Sequence, residues 1–220
     1  MNRIPTITKN LLIWNVLFFM GAAVANKYGF DADRLLGLHF FKASDFRLYQ
    51  LFTYMFMHSG FTHIFCNMFA VWMFGSVLER TWGPKKYLTL YIVCGLGAGL
   101  IQEGVQYIHY IIEFSNYDYV SMGGISIPMR EYLNMMNTVG ASGAVYGILL
   151  GYAMTYPDQP LFIIPFPFPI KAKWLVVGYI VIELLSGLSN RPGDNVAHFA
   201  HLGGMLFAFI LIRYWRKKSF

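Results

Sequence analysis

The chain has 220 residues, 56% of them hydrophobic and only 13% charged, with a mean hydropathy of +0.46. A soluble domain carries about 25% charged residues, so a water-soluble core of this size is excluded and one membrane domain over 1–220 is expected. The net charge of +6 sits in short basic clusters beside apolar runs, which points to a bilayer as partner and away from nucleic acid.

Crossing the hydrocarbon takes about 20 residues of helix. Six spans are predicted, at roughly 11–28, 58–78, 87–107, 141–156, 172–189 and 197–214. In the first, Arg3, Lys9, Leu11–Met20 and Ala23-Val24-Ala25 also read as a cleavable signal peptide; either way the chain runs outward after Ala25. Residues 29–57 mix Leu35, Leu36, Leu38, Phe40 and Phe41 with charges, so an interfacial, partly helical outer segment is expected. Residues 108–139 form a second outer loop, rich in Tyr, Asn and Met, to which no chemistry is assigned.

The fourth span is short and carries Gly140, Gly143, Gly147 and Gly151, a small-residue face suited to the protein interior. After it, Pro157, Pro160, Pro165, Pro167 and Pro169 break any helix. Eleven cations then fall on one side: Arg3, Lys9, Arg80, Lys85, Lys86, Lys171, Lys173, Arg213, Arg216, Lys217 and Lys218. The other six of the 17 (Lys27, Arg34, Lys42, Arg47, Arg130 and Arg191) fall opposite. The positive-inside rule puts both termini in the cytoplasm, with a bacterial inner (plasma) membrane as the expected home. Cys66 and Cys94 lie in apolar runs and read as thiols, not a disulfide.

Polar groups at membrane depth are costly and point to function. Here they gather near the outer ends of spans two, four and six: His58, His63 and Asn67; Gly140-Ala141-Ser142-Gly143; and His198 with His201. These spans all run outside to inside, so their polar groups share a depth. A serine hydroxyl needs a base to take its proton, and histidine suits that task. Ser142 opens a helix whose unpaired N–H groups favour an oxyanion, and His63 and Asn67, at i and i+4, are candidate donors to it. Tyr146, one turn below Ser142, is placed to pack on the His201 ring. Neither Asp194 nor Glu183 is placed to complete a triad, so a Ser–His dyad is expected.

Competing readings exist for each part. Gly-x-Ser-Gly in a glycine-rich span is often packing, His58 reads most simply as an interface or packing group, and Glu183 reads as bonding to a neighbouring helix, with a gating role as the alternative. A zinc site among His58, His63, His198 and His201 lacks the His-Glu-x-x-His spacing and a carboxylate, so neither metal nor cofactor is expected. A transporter calls for inverted halves and mid-depth polar residues, and neither is seen.

As a set, the motifs resemble the rhomboid family of intramembrane serine proteases, over nearly the whole stretch from Arg47 to Gly204. Phe46-Arg47 resembles the family's Trp-Arg with Phe in place of Trp, and His63 and Asn67 match its His-x-x-x-Asn, with His58 at a further frequent His. Glu79-Arg80 with Gly83 resembles the motif ending the second span. Gly140–Gly143 matches Gly-x-Ser-Gly, and Ala200-His201-Leu202-Gly203-Gly204 matches Ala-His-x-x-Gly; Ala208 stands where the family often has glycine. The resemblance implies an all-α, polytopic six-helix bundle with an outer loop between helices one and two. It implies Ser142 as nucleophile, His201 rather than His198 as base, an oxyanion site from Asn67, His63 and the Ser142 N–H, and support from Tyr146, Gly140, Gly143 and His58. The implied activity is cleavage of transmembrane or juxtamembrane protein segments through an acyl-enzyme, with the site opening outward; an inert relative that only binds membrane helices is the alternative. Substrate identity, gating and oligomeric state are not legible.

Overall fold

The computed structural model describes residues 3–162, 168–189 and 197–218; Arg191, Asp194, Pro165 and Pro167 of the sequence reading lie outside them. Among the described residues, four helices are long and apolar enough to cross a membrane: α1 (Thr6–Lys27), α4 (Phe61–Trp82), α5 (Pro84–Phe114) and α8 (Ala172–Ser189). Two more occupy the places expected for spans four and six, α7 (Ser142–Thr155) and α9 (His198–Lys218). Between α1 and α4 lie α2 (Ala32–Leu36), β1 (Leu38–His39), α3 (Gln50–Thr53) and a 3-10 turn at Tyr54–Phe56. Between α5 and α7 come β2 (Tyr119–Met122), β3 (Ile125–Pro128), α6 (Met129–Met135) and β4 (Asn137–Thr138), and after α7 come β5 (Pro160–Leu161) and β6 (Ile170–Lys171).

The all-α expectation needs one amendment, because among the described residues six short strands form three antiparallel ribbons, β1–β4, β2–β3 and β5–β6, in a mostly helical chain. The β2–β3 hairpin turns on Gly123 and Gly124, at φ +58° and +85°, the paired positive φ that a tight two-residue turn demands. It springs from α5, which runs to Phe114 instead of stopping near 107. At 31 residues α5 measures about 46 Å, longer than the hydrocarbon is thick, so part of the expected loop is helix.

Packing separates centre from rim. α7 has no polar face to solvent: Gly143, Ala144, Val145, Gly147, Ile148 and Gly151 are all buried. A Cβ on Gly143 would lie 2.3 Å from the Ala98 Cβ, and one on Gly147 would lie 2.5 Å from Cys94 Sγ. Against α9 the approach is closer still, since a Cβ on Gly204 would stand 1.9 Å from the Gly143 carbonyl oxygen. Small residues let these backbones touch. Ala208, where the resemblance led to glycine, is fully buried in the same core. On α1 and α8, by contrast, Trp14, Leu17, Met20, Trp174, Ile182 and Leu185 are exposed, a lipid-like perimeter.

Two polar devices lock the frame. The Glu79 carboxylate, at the end of α4, accepts from the N–H groups of Ile7 (2.9 Å) and Thr8 (2.7 Å) and from the Thr8 hydroxyl (2.8 Å), putting negative charge on the α1 N-terminus. Arg80 donates to the Arg3 carbonyl at 3.2 Å. On the other side, β1 pairs with β4 in the register Leu38↔Thr138 and His39↔Asn137, and the Gly140 N–H donates to the Tyr54 carbonyl at 2.9 Å. The segment 29–57 thus braces the stretch that leads into Ser142. Leu38 and Phe40 are fully buried for that purpose, while Leu35 and Phe41 remain exposed.

Candidate active site

Ser142 is the first residue of α7, where the opening N–H groups have no partner within the helix. Its entry is shaped by Gly140 at φ +135°, a conformation L side chains rarely adopt, where a Cβ would also sit 2.8 Å from His63 Nε2. Glycine is therefore required twice over, by the backbone and by the ring beside it.

His201 lies one turn into α9, mostly buried, with its Nε2 2.8 Å from Ser142 Oγ. That is hydrogen-bond distance between a hydroxyl and an imidazole on separate helices. The ring stacks on Tyr146 at 4.2 Å between centroids and 7° between planes, so its plane is fixed by packing. His198 does not reach the serine; its Nδ1 is 2.6 Å from Glu183 Oε2. Of the two histidines, His201 is the one in contact with Ser142.

His63 meets His58 edge to face at 5.0 Å and is held by Ser59 Oγ, 3.1 Å from its Nδ1. His58 is buried and lies just ahead of α4. Asn67 is buried with its amide Nδ2 unpaired, a donor with unused capacity.

Glu183 overturns two expectations. A carboxylate does join the histidines: Glu183 is buried on α8, with Oε1 3.1 Å from His201 Nδ1 and Oε2 against His198. The Tyr146 hydroxyl donates to the same Oε1. The His201 contact is close but poorly aligned, so Nδ1 has no well-formed hydrogen bond. A signal was available in the sequence. A lone acid inside a span is functional by default, and Glu183 lies six residues, about 9 Å, from the C-terminal end of α8, close in sequence to the first turns of α9. Glu183, His198 and His201 also bring three metal-ligating atoms within 4.8 Å of one another, whereas His58 and His63 stand apart from that group.

The family model of the rhomboid domain matches residues 45–218. The chain belongs to the rhomboid family. Its relatives include RHOMBOID-like protein 12, mitochondrial, of Arabidopsis thaliana, 30% identical over 97% of this chain and 60% of that protein. Rhomboid protease AarA of Providencia stuartii is 31% identical over 73% of this chain and 53% of its own length, and rhomboid protease GlpG of Haemophilus influenzae is 26% identical over 85% and 83%. The chain thus spans little more than half the length of the first two. Rhomboid membership, with the apolar helices, makes this an integral membrane protein of a family that includes serine proteases. Because the relatives include mitochondrial and chloroplastic proteins, the expected bacterial inner membrane gains no support from them.

Proposed function

We propose that this rhomboid is an intramembrane serine endopeptidase that cuts transmembrane or juxtamembrane segments of other membrane proteins. The observation that carries the reading is the 2.8 Å contact between Ser142 Oγ and His201 Nε2, at a helix N-terminus within an apolar bundle. In this reading the chain is one domain crossing the bilayer six times, α7 and α9 being the two further spans. Both termini lie on the side of the basic clusters, and the site opens on the other.

His201 takes the hydroxyl proton as Ser142 Oγ attacks the scissile carbonyl, and the carbonyl π electrons move onto oxygen. The Ser142 N–H, Asn67 and His63 receive the oxyanion. His201 returns its proton to the leaving amine as the C–N bond breaks, and water then hydrolyses the acyl-enzyme by the same route. Tyr146 fixes the ring plane, Gly140 and Gly143 allow the close approach, and His58 buttresses His63.

The test is cleavage of a transmembrane substrate by the purified protein in lipid. Wild type cleaves it, and Ser142→Ala and His201→Ala do not; equal cleavage by all three defeats the proposal. A protein that binds the substrate without cutting it would be the inert relative instead.

A further inference from the structure

His201 has two ring nitrogens, and the serine accounts for one. The other, Nδ1, is buried, lacks a well-formed hydrogen bond, and stands 3.1 Å from the Glu183 carboxylate. That carboxylate is held from two further directions, by the Tyr146 hydroxyl on α7 and by His198 Nδ1 at 2.6 Å on α9. Tyr179, on α8 itself, packs edge-on to the Tyr146 ring at 5.8 Å. Charge buried in this way is retained only where partners hold it.

We infer that Glu183 is the acidic third member of the site, a positioning residue that turns the dyad into a Ser142–His201–Glu183 relay. This deepens the protease reading and rests on it. Neutral imidazole carries one proton, and either nitrogen can hold it. With Nδ1–H directed at Glu183, Nε2 is left bare to accept the Ser142 proton; with the tautomer reversed, Nε2 carries hydrogen and the serine has no base. During attack the serine proton moves to Nε2, Nδ1 keeps its own proton, and Glu183 remains ionised beside the imidazolium. No proton passes to the carboxylate. The poor alignment in the resting site suits a bond that tightens as charge develops on the ring. Tyr146 then has two tasks from one side chain: its ring stacks on His201, and its hydroxyl holds the acid that orients His201.

Glu183→Gln keeps the shape and removes the charge. Kinetics on a transmembrane substrate in lipid are expected to show kcat down by at least about 100-fold with KM within about threefold, the mark of an interaction made in the transition state. Glu183→Asp, which restores the charge one methylene short, is expected to recover at least about tenfold over Glu183→Gln. A kcat within threefold of wild type in Glu183→Gln overturns the inference, as does an unrecovered Glu183→Asp of wild-type thermal stability. Should Glu183→Gln fail to fold, Glu183→Asp carries the test by proton NMR: the low-field His201 Nδ1–H resonance is expected to move, and an unmoved line overturns the relay. Wild-type activity lost to EDTA and restored by Zn²⁺ would also overturn it, because Glu183, His198 and His201 would then be metal ligands. Activity retained in Ser142→Ala sinks the protease reading and this inference together. Activity lost in Ser142→Ala but untouched in Glu183→Gln sinks the inference alone.

Discussion

The centre and the rim of this rhomboid are built on opposite rules. At the centre, α5, α7 and α9 meet through glycine and alanine so closely that a single added methyl would strike backbone, and Ser142 and His201 ride on that seam. At the rim, α8 is mostly bare of protein contacts, and a Cβ on Gly178 would meet nothing within 4 Å. Yet α8 delivers one buried acid, Glu183, to the same histidine. Ser142 and His201 are therefore set by close packing, while Glu183 arrives on a helix whose surface is mostly exposed. The lesson is that one cluster joins residues of the close-packed centre to an acid brought in from the rim.

Breaking the central pair has the largest expected effect. Ser142→Ala or His201→Ala should reduce kcat to background, on the order of 10⁶-fold by analogy with other serine proteases, as read by substrate cleavage. Asn67→Ala, one proposed oxyanion donor, should lower kcat by about 10²–10³ with the fold intact. The packing rule is sharpened by two glycines. Gly204→Val should destabilise by about 3 kcal/mol or more in a thermal melt, because the Gly143 carbonyl cannot retreat. Gly178→Ala on the rim should instead be neutral or stabilise by up to about 1 kcal/mol; an equal loss at both positions would erase the contrast.

The smallest effect concerns the exposed pair Arg34–Asp45, 2.6 Å apart in the segment between α1 and α4. The Arg34 guanidinium, through its hydrogen bond, holds the Asp45 carboxyl below the usual carboxylate value of 3.8. A lowered folded pKa stabilises at pH above 3.8, and that contribution is lost as pH falls further. Arg34→Gln should therefore shift the melting midpoint by no more than about 2–4 °C at pH 7, and by less near pH 3.

Much of the centre was legible because it obeys local rules. Run length and basic clusters gave the helices, the glycines of α7 gave its interior position, and shared depth brought Ser142, His63 and His201 together. That Glu183 bonds to neighbouring helices was legible, but which partners it meets was not, because they lie 37, 15 and 18 residues away and no local spacing reports them. The brace from β1 to β4 was missed for a related reason: two-residue strands leave no period to read. Glu79 was visible as part of a motif, but its task of capping α1, more than 70 residues earlier, appears only in three dimensions.

The central claim is that His201 activates Ser142 inside the bundle. Its most direct measurement is the rate and site of fluorophosphonate labelling in wild type and His201→Ala, with the adduct mapped by mass spectrometry. The account predicts one adduct, on Ser142, forming in wild type and not in His201→Ala. Labelling that persists without His201, or that falls on another residue, contradicts it.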